Sequence, residues 1–262
     1  LRDVNISPIR AVRRAIDVLN AFTTEEPELT VEQVSEKTHL PKATVYRILY
    51  TMETTNLIRY DEETGRYRLG IQFLSYAGLV TSTYDVVRES EEVLIELHQR
   101  IRQTILMCVV SGDELLYVFR RENAEGLKFS SSVGQRRPIP YGVVGKVALA
   151  YLPPAQLDRI LAQPIEATTP YSLTDPEELR RRIHAIRQDG FYIDIEETTI
   201  GVCGVAAPVL DITDRLAASV GIIGPTVQLT DHLQNARDYL LEATARISQK
   251  MGHHPSATTT GI

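Results

Sequence analysis

Residues 29–70, LTVEQVSEKTHLPKATVYRILYTMETTNLIRYDEETGRYRLG, decide the fold of the amino-terminal part of the chain. Thr30 can begin a short helix in which Val31, Val34 and Thr38 share one face. The run His39, Leu40, Pro41 then stops it, because Pro41 disfavours an α conformation at Leu40. A second helix follows, with Val45, Ile48, Leu49 and Met52 at i, i+3, i+4 and i+7 forming its inward face. Ala43, Tyr46, Arg47 and Tyr50 point outward, with Lys42 and Thr44 at the exposed amino end and no acid before Glu53. Small, hydroxyl and cationic groups on the first two turns suit insertion into a DNA major groove, where Arg47 can grip a guanine edge or a phosphate.

After Leu57 the residues alternate, Ile58 and Tyr60 to one side and Arg59 to the other. DEETG at 61–65 turns the chain, and RYRL returns with Tyr67 and Leu69 toward the core. Arg59, Arg66 and Arg68 then face outward, where phosphates beside an adjacent minor groove would lie. Any one of these arginines alone is equally a solvated strand residue. Helix, turn, helix and hairpin in succession predict a winged helix-turn-helix. Upstream, Ser7 and Pro8 open a further helix, with Val12, Ile16, Leu19 and Phe22 inside and Arg10, Arg13 and Arg14 outside, ending in the polar stretch 23–28.

A chain of 262 residues has room for two cores. Net charge is -6, and residues 1–72 carry 10 Lys and Arg against 11 Asp and Glu. Neither part is a basic coat, so affinity for DNA must come from local placement of Lys42, Arg47 and Arg66, and from two copies of that surface. Cys108 and Cys203 lie far apart without CxxC or metal-ligand spacing, the usage of a reducing cytoplasm rather than a disulfide scaffold. No apolar run approaches a membrane span, and LRDVNISPIR lacks the apolar core of a signal peptide; a cytoplasmic protein with no membrane partner is expected.

The expected organisation is a disordered lead at 1–8, a DNA-binding domain at 9–70, a linker helix at 71–84, a second domain at 85–252 and a disordered tail at 253–262. The linker run is too apolar to stand alone in water and is expected to pack on its counterpart in a second subunit. In the second domain a helix to about Arg102 puts Val86, Val93, Leu94, Leu97 and Ile101 on one face. Strands are predicted over 104–110, 114–120 and 127–132, then an apolar helix over 142–152 stopped by Pro153 and Pro154. Helices near 155–162 and 175–188 precede strands at 191–194, 204–211 and 216–224. A last helix from Thr230 carries Leu233, Ala236, Leu240, Ala243 and Ile247 and ends at Gly252. The sum is an α+β two-domain chain whose second domain is a mostly antiparallel sheet with helices at its ends.

Three separated blocks, LPKATVYRIL with GRYRLG, then VGQRRPIPYGVVGKVALAYLPP, then EETTIGVCGVAAPVLD with VGIIGP, resemble the IclR family of transcriptional regulators from about Ile9 to Gly252. The resemblance implies a GAF-like effector-binding domain with flanking helices. It also implies a homodimer joined through DNA-binding domains and linker helix, often a dimer of dimers (a homotetramer), on a palindromic or repeated double-stranded operator. The candidate DNA contacts are Arg10, Lys42, Ala43, Thr44, Tyr46, Arg47 and Arg66. Carried onto this chain, the family's small-molecule site falls on Tyr141, Gly142, Val143 and Val144, on Asp194, on Cys203 with Gly204, and on Gly221 with Ile223. Two features depart from the pattern. The cysteine precedes its usual place by one residue, which in a strand turns it to the other face. Gly221-Ile222-Ile223 replaces a Ser-x-Ser, so hydroxyl donors give way to an apolar wall. A glyoxylate-sized oxoacid would leave its polar groups unpaired there, and an aromatic acid or derivative is the expected effector.

Sharper readings compete with plainer ones. GVVGK at 142–146 fails as a phosphate loop, because Pro140 occupies the position of its first glycine and Val147 that of its hydroxyl. The amino end of that helix can still hold a carboxylate, against simple packing. Cys203 as the sensor of a redox-responsive regulator competes with a buried, inert thiol. Asp194 with Glu196 and Glu197 could be an acid–base pair, but a solvated or salt-bridged strand edge is plainer. An enzyme using the winged unit as an interaction module would need titratable groups gathered in one cleft, and they are scattered. No catalytic residue, cofactor or metal set is expected, and a metal role for His253 and His254 lacks partner ligands.

Overall fold

A computed structural model describes residues 7–23, 26–83, 85–122 and 132–253, and the chain divides into two units, 1–83 and 84–262. In the first, α1 (Arg10–Asn20), β1 (Glu28–Leu29), α2 (Val31–Thr38), α3 (Lys42–Glu53), β2 (Ile58–Asp61), β3 (Arg66–Leu69) and α4 (Gln72–Thr83) follow in order. Thr30 and Gln33 cap α2 reciprocally: Thr30 Oγ1 accepts from the Gln33 amide at 3.4 Å, and the Thr30 amide donates to Gln33 Oε1 at 2.9 Å. The helix stops at His39, whose φ of 55° is left-handed, and Pro41 caps α3. Val45 and Leu49 are fully buried, Met52 nearly so and Ile48 half-buried, as the spacing predicts. The hairpin pairs Ile58 with Leu69, Arg59 with Arg68 and Tyr60 with Tyr67.

Three expectations here are corrected. Leu69 is 44 % exposed, so Tyr67 and Ile58 close the core without it. Val12 and Ile16 are also exposed: α1 docks through Val18, Ala21 and Phe22 at its carboxyl end, and the earlier turns stay uncovered within this unit. The polar stretch before Leu29 ends in a strand, β1, which pairs with β3 through Glu28–Arg68 and Leu29–Tyr67 to give the order β1-β3-β2. Two residues carry no alternation, so no pattern announced it.

The second unit contains α5 (Asp85–Ile101), β4 (Thr104–Ser111), β5 (Glu114–Arg121), β6 (Arg136–Pro138), α6 (Gly142–Ala150), α7 (Pro154–Leu161), α8 (Pro176–Asp189), β7 (Tyr192–Ile195), β8 (Val202–Leu210), β9 (Leu216–Pro225), α9 (Thr226–Leu229) and, after a 3-10 turn at Thr230–His232, α10 (Leu233–Lys250). One antiparallel sheet runs in the order β6-β5-β4-β9-β8-β7. The helices cover its two faces rather than its ends, because alternate strand residues on both faces are apolar. Cys203, Val205, Ala207 and Val209 of β8, with Ala218, Val220 and Ile222 of β9, meet α5 and α10; Leu106, Cys108, Tyr117 and Ala206 meet α6 and α8. Pro153 and Pro154 open α7 as cap and first residue, as well as ending the apolar run before it. The final long helix begins at Leu233, since α9 and the 3-10 turn take up the residues before it. The strand expected over 127–132 lies, but for Ser132, outside the described residues, as do the lead 1–6 and the tail 254–262. Among the described residues no helix is long and apolar enough to cross a membrane, and no group of three or more His, Cys, Asp or Glu could hold a metal ion.

Candidate functional site

On the first unit the residues singled out for DNA lie on one helix and its surroundings. Lys42, Ala43, Tyr46 and Arg47 are exposed along α3 and Thr44 is half-buried; Arg10 is exposed at the start of α1. Lys42 Nζ sits 3.1 Å from Glu32 Oε1, and that hydrogen bond holds the Glu32 carboxyl below its ordinary range. Arg66 is half-buried and already engaged: Nη1 donates to the Glu28 carbonyl at 3.2 Å and to Gln33 Oε1 at 3.5 Å, tying β3 to β1 and to the α2 cap. Arg68 pairs with Glu28 at 3.6 Å, while Arg59, across the ladder from it, is exposed.

In the second unit a cavity of ≈ 440 Å³ opens beside the start of α6. Tyr141 and Gly142 line it, with Lys146 one turn further on, Arg137 from β6, Ile139, Ile160 from α7, the 163–173 segment, and Glu197 with Thr198 beyond β7. The segment is fastened to the turn after β7 by hydroxyl groups. Thr169 Oγ1 donates to the Glu196 carbonyl at 2.7 Å, Ser172 Oγ to that of Glu197 at 2.7 Å and Thr168 Oγ1 to that of Thr198 at 2.9 Å.

Lys146 is buried in an otherwise apolar helix, and burial of a cation is tolerated only with paired acids. Its Nζ lies 2.9 Å from Glu197 Oε2 and 3.6 Å from Asp194 Oδ2. Tyr192 donates its hydroxyl to Glu197 Oε1 at 2.7 Å; the Glu197 amide and the Thr198 hydroxyl donate to Asp194 at 2.9 Å and 3.0 Å. Burial pushes the Asp194 carboxyl upward against the pull of Lys146, and burial with the Glu197 contact raises the Tyr192 hydroxyl. The salt-bridged edge read from Asp194, Glu196 and Glu197 is thus an internal charge cluster of two acids and one base.

Of the residues assigned to an effector, Tyr141 and Gly142 reach the cavity wall. Asp194 sits behind Lys146. Val143 and Val144 are buried against the sheet, where Gly204 and Gly221 leave room for them: a Cβ on Gly221 would come within 2.7 Å of Val144 Cγ1, and one on Gly204 within 3.4 Å of Val143 Cγ1. These glycines admit the helix, and Ile223 packs against the same cluster. Cys203 faces the α10 side, its Sγ 3.9 Å from Thr230 Oγ1, the turn to the opposite face that its one-residue displacement predicts; burial raises its thiol above the ordinary range. Sequence reasoning missed Arg137, Lys146 and the 163–173 wall. A lysine inside GVVGKVALA was the available signal, read only as a failed phosphate loop.

Residues 11–62 match the IclR helix-turn-helix domain and residues 78–250 the family described as bacterial transcriptional regulator IclR C-terminal. The HTH-type transcriptional regulator XynR of Escherichia coli (strain K12) is 30% identical over 247 residues, 94% of this chain and 98% of that protein. The HTH-type transcriptional regulator KdgR of Dickeya chrysanthemi is 27% identical, over 94% of this chain and 81% of that one. Among solved structures, an IclR regulator from Alicyclobacillus acidocaldarius superimposes with TM-score 0.85 at 24% identity, covering 94% of this chain and all of that one. An IclR homologue from Microbacterium hydrocarbonoxydans, complexed with 4-hydroxybenzoate, gives 0.85 at 22% identity, covering 92% and 99%. The chain belongs to the IclR family of DNA-binding transcriptional regulators.

Proposed function

We propose that α3 reads operator DNA through Lys42, Ala43, Thr44, Tyr46 and Arg47, with Arg10 and Arg66 toward the phosphates, and that a small aromatic acid in the cavity beside α6 changes operator affinity. The acid-free, exposed first turns of α3 carry the first half of this reading. The second half rests on the cavity: its volume falls within the usual range for small-molecule sites, Ile139, Ile160, Ile165 and Leu173 supply apolar wall, and one structural relative holds 4-hydroxybenzoate. Ligand would act by binding two arrangements of the paired recognition helices unequally. The exposed Ile9, Val12 and Ile16 of the α1 region and Leu74 and Leu79 of α4 supply apolar surface for assembly into a dimer or dimer of dimers. The working compartment is the cytosol, where the chromosome lies. Arg47→Ala is expected to weaken operator binding at fixed salt by about 1–3 kcal/mol; unchanged affinity in a mobility-shift titration would remove Arg47 from the interface.

A further inference from the structure

The cation at the start of α3 is already answered by an acid of the chain, which bears on how operator and bulk DNA are told apart; this step rests on α3 being the DNA-reading helix. Lys42 is the first residue of α3, and its Nζ lies 3.1 Å from Oε1 of Glu32 on α2, both side chains being exposed. Arg47, further along the same outward face, is exposed and makes no ion pair among the described residues. The fold has little need of the Lys42–Glu32 pair. Thr30 and Gln33 already cap α2, and an ion pair open to water is weak enough to be exchanged for a phosphate. Glu32 does stand in the first turn of α2, where an anion suits the helix dipole, so a purely structural role is the rival explanation. The arrangement recurs on the wing, where Glu28 Oε1 lies 3.6 Å from Arg68 Nη1. Residues 1–72 carry 11 acids against 10 bases, so attraction to DNA of any sequence falls to cations left without an acid, Arg47 and Arg59 among them. For Lys42 to take a phosphate, it must leave a bare carboxylate beside the polyanion. Random sequence does not repay that cost. Base edges that suit Tyr46 and Arg47 do, because they hold α3 in the groove while the exchange is made.

We propose that Glu32 is a specificity-determining residue that touches no DNA: it withholds Lys42 from phosphates on random sequence and yields it on the operator. Fluorescence anisotropy of the full-length protein with two probes tests this, one a random-sequence duplex and the other a duplex enriched from a random pool by the wild type, as salt is varied between about 50 and 200 mM. Glu32→Gln keeps the size of the side chain. On the random duplex it should steepen the fall of log K with log salt by about 0.9, the share of one added phosphate contact, so that its gain in affinity is about 3.5-fold larger at the low-salt end than at the high. On the enriched duplex the slope should stay as it is, because Lys42 is engaged there already. Lys42→Gln should do the reverse, flattening the slope by about 0.9 on the enriched duplex and leaving it unmoved on the random one. Glu36→Gln removes an equal charge from the same helix, at an exposed residue that makes no ion pair among the described residues, and should move neither slope. Thermal unfolding checks that each variant is folded. Slopes unmoved by Glu32→Gln, the outcome of a structural role, overturn the proposal, as does equal steepening on both duplexes or an equal effect from Glu36→Gln; each leaves α3 standing as the reading helix. A wild type that enriches no duplex and binds random DNA without salt dependence overturns the reading of α3, and this proposal with it.

Discussion

The two faces of the six-stranded sheet are made by the same strands and do opposite things. On the α5 and α10 side, Val205, Val209, Val220 and Ile222 meet Leu94, Leu97, Leu240 and Ile247 in a layer of aliphatic groups. On the α6 side the same strands present Gly204, Ala206, Ser219 and Gly221, small residues that let α6 come down almost onto the backbone. Large side chains hold a helix away and fill the gap. Small ones draw it in, and here the close helix carries a buried lysine, two acids around it and a cavity at its start. One face stabilises, whereas the other spends stability on a polar arrangement that can meet a ligand.

That contrast is exposed to measurement by urea unfolding of the full chain. The largest loss is expected from Lys146→Met, which leaves the buried Asp194 and the half-buried Glu197 without their cation: about 3–5 kcal/mol. A loss under ~1 kcal/mol would mean that the cluster is solvated and that the α6 face is not the electrostatically costly one. Leu240→Ala on the opposite face removes a fully buried side chain from α10 and should cost about 2–5 kcal/mol, with effector binding unchanged. Altered ligand affinity in that variant would show that the faces are coupled. Gly221→Ala sets a methyl group against Val144 Cγ1 and should cost about 1–3 kcal/mol through overpacking; a neutral result would place α6 further from the sheet. The smallest effect concerns the thiols, one on each face. Cys108 is pushed up to about 12 by burial, and burial also raises Cys203. Neither should react with iodoacetamide in native buffer at neutral pH, and both should react in denaturant. Fast native labelling of Cys203, accompanied by a change in operator binding on peroxide treatment, would restore the redox-sensing alternative.

Legibility differed between the units for physical reasons. The winged unit is built from short contacts along the chain: a cap at Thr30, a proline after Leu40, one helix with strict i, i+3, i+4 spacing and a hairpin whose strands are joined by residues 62–65. Each leaves a local mark. The departures came where exposure depends on what lies above a residue. Val12 and Ile16 have correct helical spacing yet project beyond the contact made by Val18 and Phe22, and Leu69 alternates correctly yet ends its strand in the open. In the second unit the strands of the described sheet were visible as apolar runs except for β6, three residues with two arginines and a proline. The cavity was the hardest feature to foresee. Its walls come from the turn before β5, β6, α6, α7, the 163–173 segment and the turn after β7, pieces spread along the chain from Asp113 to Thr198, and no periodicity links them.

From the order of residues alone came the identity of the helices, the alternation that gives each strand two apolar faces, the cationic exposed face of α3 and the family. All of these are set by neighbours within a turn or a pair of strands. Folding in three dimensions chose how near α6 lies to the sheet, which charge answers Lys146 and where empty space remains. Those outcomes depend on distances between segments remote along the chain, and distance is the quantity a linear pattern does not carry.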